Sequence, residues 1–122
     1  MSWEVRFDPV FDTEFDSLST IVQDELLALA MLLERFGPTL GRPRVDTLKG
    51  SHHANMKELR FQVDNGVWRV AFAFDPERKA ILLVAGDKSG SNTRRFYKRL
   101  IKTADQRFDA HLDRLTDERR AK

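Results

Sequence analysis

The sequence predicts an α+β domain: a mostly antiparallel sheet with two N-terminal helices packed on one face and a C-terminal helix, in the order β-α-α-β-β-β-α. Three observations lead there. Apolar residues alternate or run together in three consecutive segments between residues 56 and 85, separated by turn signals, which is the pattern of an antiparallel meander. Before and after that block, apolar residues recur at spacings of three and four, the pattern of helices with one buried side. A length of 122 residues with 41% hydrophobic and 10% aromatic side chains suits one domain with its own core, 1–122.

Trp3, Val5 and Phe7 alternate with Glu4, Arg6 and Asp8, giving a first strand that Pro9 ends. From Pro9 a short helix is expected, with Phe11, Phe15 and Leu18 on one side. Thr20-Ile21-Val22-Gln23 reads as a capping box that opens a second helix. Its stripe is Val22, Leu26, Leu29, Leu33 and Phe36, widened by Leu27, Ala30 and Leu32, and Gly37-Pro38 closes it. Residues 37–55 read as an ordered loop with space for a turn of helix, anchored by Leu40, Val45 and Leu48.

The meander follows. Met56 to Val63 places Lys57, Leu59, Phe61 and Val63 on one side and Glu58, Arg60 and Gln62 on the other. Asn65-Gly66 is expected at the centre of the hairpin turn, which would set Arg60 opposite Ala71 and diagonal to Arg69. Trp68, Val70, Phe72 and Phe74 alternate with Arg69, Ala71 and Ala73. After Asp75-Pro76-Glu77-Arg78, the apolar run from Lys79 to Ala85 suits a central strand, and Gly86 to Gly90 leaves it as a loop. From Asn92, Phe96, Leu100, Ala104, Phe108, Leu112 and Leu115 make an amphipathic helix, with a bend expected near Thr103 and fraying from Asp117 to Lys122.

Composition removes several function classes. The absence of cysteine excludes disulfides, thiolate nucleophiles, iron–sulfur ligation and cysteine-based zinc sites. No run approaches the roughly 20 apolar residues of a membrane span, and the start lacks a secretory pattern, so a soluble, cytoplasmic chain without a membrane partner is expected. No cofactor and no metal are expected. His52-His53 has no further histidine except His111 on the last helix, whereas zinc needs three or four convergent ligands.

The formal net charge is only +2, but its distribution is uneven. Residues 1–37 hold two basic against eight acidic side chains, and residues 38–102 hold fourteen against six. Such a segregated field attracts a polyanion to one part of the surface. Arg60 and Arg69 share the polar side of the meander, expected to be an uncovered surface with a shallow place at Ala71 and Ala73; two cations placed close together there, without a strip of carboxylates to neutralise them, suit phosphate or RNA recognition, and Lys88 lies near the rim. Tyr97, flanked by Arg94, Arg95 and Lys98, suits stacking on a base or donation from its hydroxyl. Arg42, Arg44, Lys49, His52 and Lys57 are further RNA-binding candidates. Asp105, Asp109 and Asp113, with Arg107 and Arg114 opposite, read as a solvated helix face, and His111 as helix packing.

These residues carry a wider pattern. Gly41-Arg42-Pro43 with Leu48-Lys49-Gly50-Ser51, Lys57-Glu58-Leu59-Arg60, Trp68-Arg69-Val70 with Phe72-Ala73-Phe74, and Ile81 to Val84 running into Gly86-Asp87-Lys88 resemble toxins of the RelE/ParE superfamily. The resemblance is to the HigB-like, phage-derived branch of type II toxin–antitoxin systems, continues through Phe96-Tyr97, Ala104-Asp105, Phe108 and His111-Leu112, and covers about residues 3–115. It implies a RelE-like fold and a ribosome-dependent messenger RNA endoribonuclease that inhibits translation. It also implies a cognate antitoxin with a helix-turn-helix domain, through which operator DNA is bound, and the ribosome and messenger RNA as partners.

By position, the resemblance implies a catalytic role for Arg69, supplies Lys57 and Arg60 as basic candidates, and sets Lys88 where the family has a basic residue after the last strand. With Tyr97 as a proton-transfer candidate beside His52, the catalytic set is Arg60, Arg69, Lys88 and Tyr97. Cleavage would be metal-independent, by attack of the ribose 2′-hydroxyl on the adjacent phosphate. Better-known HigB members have a Phe-x-Lys-Lys run and a Thr-Pro segment where this chain has Gly86-Asp87-Lys88-Ser89-Gly90. The rival expectations are a ParE-like inhibitor of DNA gyrase and a degenerate toxin that acts only by binding.

Overall fold

The computed structural model describes residues 2–121. Strand β1 (Glu4–Phe7) leads into helices α1 (Pro9–Phe15) and α2 (Thr20–Phe36), a 3-10 turn (Gly37–Thr39) and a short strand β2 (Val45–Thr47). The meander β3 (Lys57–Val63), β4 (Gly66–Phe74) and β5 (Lys79–Asp87) follows, then helix α3 (Thr93–Ala121). Across the sheet the order is β1-β5-β4-β3-β2, with β1 parallel to β5 and every other neighbour antiparallel. The α+β class and the element order agree with expectation. Strand β2 is an addition within the 37–55 loop: three residues are too few for alternation to announce, and the strand exists by pairing Val45 with Leu59 and Thr47 with Lys57.

Alternation along the strands divides the core in two. Leu59, Val70, Phe72 and Leu82 face α1 and α2, where Phe11, Leu26, Leu29 and Leu33 cover them. Ala71, Ala73, Ile81 and Leu83 face the other way, under Leu100, Ala104 and Phe108 of α3. The polar side of the meander is therefore not an open surface along its length. The two small residues expected to make a shallow place, Ala71 and Ala73, are fully buried because their size lets α3 pack closely.

The helix ends show which signals the backbone used. Asp8 caps α1 by accepting from Val10 and Phe11 N–H, with Pro9 in the first turn. The cap of α2 is Ser19, whose hydroxyl accepts from Val22 N–H, so the cap falls one residue before the expected Thr20; Gln23 instead donates to the Phe15 carbonyl. Gly37 does end α2, at φ 56°, and a Cβ there would lie 2.2 Å from the Trp3 indole. Leu27 and Phe36, assigned to the buried stripe, are exposed, because the stripe that meets the sheet is narrower than the apolar content of α2. Helix α3 runs unbroken past Thr103 to Ala121, with Lys122 outside the described residues. Its midsection is pinned to α1: Arg107 donates to both Glu14 carboxylate oxygens (2.7 and 2.8 Å) and to the Leu83 carbonyl. Among the described residues no helix is long and apolar enough to cross a membrane.

Candidate functional site

The β3–β4 turn sets the geometry. It is centred on Asp64-Asn65 rather than Asn65-Gly66, because Asp64 takes the positive φ (53°) and Gly66 is already paired with Val63. The slip keeps every side chain on its expected side but brings Arg60 directly opposite Arg69, not opposite Ala71. Facing like charges destabilise a strand pair unless other charges intervene.

Two carboxylates intervene. Glu58 Oε1 lies 3.7 Å from Arg69 Nε, and its Oε2 lies 4.0 Å from Arg60 Nε. Asp46 on β2 lies 3.4 Å from Arg60 Nη1 and 3.8 Å from Arg42 Nε. The expectation of two uncovered, uncompensated cations is thus corrected: they share one face, but acids separate them and α3 roofs one. The Tyr97 hydroxyl, delivered by the second turn of α3, accepts from Arg69 Nε at 3.1 Å and donates to Glu58 Oε1 at 2.9 Å. Arg69 also donates to the Trp68 carbonyl, and its side chain is only 6% exposed, like that of Glu58, while Arg60 is 28% exposed.

Glycine at 86 makes this approach possible. Gly86 pairs with Arg69 across β4 and β5, and a Cβ there would come within 2.9 Å of the Phe96 ring, the residue before Tyr97. Strand β5 therefore extends through Gly86 to Asp87, and the loop starts only at Lys88. Lys88 Nζ lies 5.8 Å from the centre of the Tyr97 ring, a cation–π placement. Arg60, Arg69, Lys88 and Tyr97 are thereby brought together from three elements and a loop.

Burial pushes the Glu58 carboxyl above the ordinary carboxylate value, against the pull of the Tyr97 hydrogen bond and the charges of Arg69 and Arg60. Burial also raises the Tyr97 phenol, opposed by the hydrogen bond from Arg69 and reinforced by Glu58. Chemically, the cluster offers cations for a phosphoryl oxygen, a hydroxyl on a carboxylate, and a carboxylate with enhanced proton affinity. Sequence reasoning missed Glu58 as a functional candidate. Its signal was available, an acid at a polar-side position flanked by basic residues, but its burial was not.

The other candidates scatter. Arg42 lines an open groove of about 300 Å³ with Pro43, Arg60, Phe61, Gln62 and Arg69. Arg44 is exposed, and its carbonyl accepts from Arg60 N–H; Lys49 is exposed in the loop beyond β2. Lys57 lies on the Leu59 side of β3, away from Glu58 and Arg60. Arg94 and Lys98 are exposed on α3, whereas Arg95 lines a larger, mainly apolar groove of about 540 Å³ between β5 and α3 that includes neither Arg60 nor Arg69. His52 is held by Asp105 and Asp109, about 12–18 Å along the helix axis from Tyr97 at 1.5 Å per residue. Those two acids are not a merely solvated face. Asp105 is buried and accepts from the Ser51 hydroxyl, and Asp109 accepts from both loop histidines. His111 packs against Phe108 and meets Asp75 at 2.8 Å.

The family model "Phage derived protein Gp49-like (DUF891)" matches residues 13–109. Two Mycobacterium tuberculosis proteins that carry the toxin names HigB2 and HigB3 are similar to the chain. The first is 47% identical over 93 residues, 75% of this chain and 46% of the relative; the second is 55% identical over 81 residues, 66% of this chain and 68% of the relative. The chain thus spans less than half the length of the first. Among solved structures, a mutant of the Escherichia coli toxin RelE in the free state aligns at TM-score 0.61 and 15% identity, over 88% of this chain and 98% of that one. The archaeal RelE–RelB complex from Pyrococcus horikoshii aligns at TM-score 0.54 and 15% identity, over 75% of this chain and 100% of that one. The fold is that of RelE, and the chain belongs to the phage-derived Gp49-like family.

Proposed function

We propose that this chain is the toxin of a type II toxin–antitoxin pair and acts as a ribosome-dependent endoribonuclease on messenger RNA. The observation that carries the reading is the Arg60–Arg69 cross-strand pair, bridged by Glu58 and roofed by the Tyr97 hydroxyl. The likeness to HigB2 and HigB3 supports the toxin role, and the RelE–RelB complex supports an antitoxin partner.

Arg42 and Arg60, at the mouth of the groove, make first contact with a backbone phosphate, and Lys88 adds charge at the rim. The ribose 2′-hydroxyl attacks the adjacent phosphorus, the P–O5′ bond breaks, and a 2′,3′-cyclic phosphate and a 5′-hydroxyl result. As negative charge grows on the phosphoryl oxygens it draws Arg60 and Arg69 away from Glu58. Glu58, already raised by burial, then gains proton affinity and takes the 2′-hydroxyl proton through Tyr97, while a solvent water gives a proton to the departing O5′, completing the 5′-hydroxyl. The chemistry needs no metal.

The test is induced expression without antitoxin, with transcript ends mapped in cells and with purified ribosomes. New 5′ ends within translated transcripts are expected, and Arg60→Ala should lower cleavage by about 10²-fold, the scale of one lost charge-stabilising donor. Intact messenger RNA with accumulating double-strand DNA breaks would replace this reading with gyrase inhibition. No growth effect from verified soluble protein would leave a binding role alone.

A further inference from the structure

We propose that His52, His53 and Asp109 form a binding site for one divalent transition-metal ion of the zinc type, which fastens the β2–β3 loop to α3. His52 Nε2 and His53 Nε2 both point at Asp109 Oδ1, at 3.1 and 2.7 Å. One ligand atom from each of the three lies within 4.8 Å of the others. Bonds of about 2.0–2.2 Å in a tetrahedral shell put neighbouring donor atoms about 3.3 Å apart, so seating an ion asks the His52 and His53 Nε2 atoms to move about 0.2 and 0.6 Å further from Asp109 Oδ1.

The surroundings are those of a built ligand set. His52 Nδ1 lies 3.1 Å from Asp105 Oδ2, the outer carboxylate that orients a ligating imidazole and selects its tautomer. Asp105 is itself held by the Ser51 hydroxyl and by His52 N–H. The His53 ring sits edge-on to Phe108 at 4.9 Å, and its backbone N–H donates to Ser51 Oγ. Helical spacing of four puts Asp105 and Asp109 on one side of α3, where the loop meets them. Two imidazole nitrogens with one carboxylate oxygen suit zinc, cobalt or nickel; magnesium and calcium require mostly oxygen ligands. The three protein ligands leave a coordination position for water. The adjacent histidines failed as a metal motif in the sequence only because their third ligand lies 56 residues later. The site is remote from Tyr97, so it takes no part in the cleavage proposed above and fails or stands independently of it.

Titration of the untagged full chain with Co²⁺ and Zn²⁺, beside Mg²⁺, tests the assignment. One equivalent of Co²⁺ should give the visible bands of a tetrahedral or five-coordinate ion, displaced by Zn²⁺, with no response to Mg²⁺. His53→Ala and Asp109→Asn should each weaken zinc binding at least about tenfold, and Asp105→Asn by about 10–100-fold through the outer shell. His111→Ala should bind as wild type does. Thermal melts in chelator establish that each variant is folded, and Asp109→Asn, a near-isosteric change at a half-exposed position, serves if His53→Ala is not. Absence of stoichiometric binding, or wild-type affinity in folded Asp109→Asn, would overturn the proposal.

Discussion

Substituting Arg69 by alanine separates what this cation does for the fold from the role proposed for it in cleavage. The Arg69 and Glu58 side chains are each 6% exposed, so the substitution leaves a buried carboxylate without its nearest cation. Removing one partner of a buried pair costs about 3–5 kcal/mol. The lower end applies, because the closest approach is 3.7 Å and Glu58 keeps the Tyr97 hydrogen bond. At an unfolding entropy of about 2.1 cal/mol/K per residue, 3 kcal/mol corresponds to a Tm drop of about 12 °C for this length. The loss is pH-dependent. Burial already raises the Glu58 carboxyl above the ordinary 4.5, and losing the Arg69 charge that opposes this raises it further, so the folded state holds a proton that the unfolded chain has released, and stability recovers as pH falls. Adding Glu58→Gln removes the stranded charge and should restore most of the lost Tm near neutral pH. Thermal and urea melts of the single and double variants, with transcript-end mapping on both, form the assay. The single variant melting with wild type, or the folded double variant still cutting messenger RNA, would refute the reasoning.

Gly86→Ala should destabilise by about 1–3 kcal/mol and also lower cleavage, since its Cβ must displace Phe96 and with it Tyr97; melts and transcript mapping on the same preparation check both. Arg107→Ala, which cuts α3 from Glu14 and the Leu83 carbonyl, should cost about 1–3 kcal/mol in urea melts at pH 7. The Arg107 guanidinium holds Glu14 below its ordinary value, so this part of the stability is complete above that value and lost as pH falls through the depressed one; wild type and variant should therefore converge in acid. With Glu58 as the proposed proton acceptor, the acidic limb of the cleavage–pH profile should lie above the ordinary glutamate value of 4.5 and vanish in Glu58→Gln.

The fold was legible where apolar periodicity is long. Strands β3 to β5 and the buried stripes of α2 and α3 are written in the spacing of residues such as Leu59, Leu26 and Ala104. What escaped were features decided by distant partners. Strand β2 exists through β3, and the cap of α2 moved one residue because Ser19 competes on equal chemical terms with Thr20. Leu27 and Phe36 were misplaced because helical spacing says which residues share a side but not how wide a strip the sheet covers. Asp109 carried no visible role, since nothing local distinguishes an acid facing water from one facing two histidines across 56 residues.

The same limit explains the division of labour in the candidate site. Arg60 and Arg69 are equivalent by alternation, both on the polar side and both among basic neighbours. Their strands are not equivalent. β3 is bordered by the three-residue β2, so the Arg60 head emerges beside Arg42 at the groove, whereas β4 lies between β3 and β5 under the second turn of α3, which seals Arg69. A cation sealed in this way is expensive to retain for packing alone; Glu58 offsets its charge, and burial in turn makes Glu58 a readier proton acceptor. In the proposed reaction the exposed arginine would serve capture and the buried one the charge that develops on the phosphoryl oxygens, which Arg69 would meet by leaving Glu58. In that reaction, the acid that looks like a mere counterion would couple phosphate engagement to proton transfer.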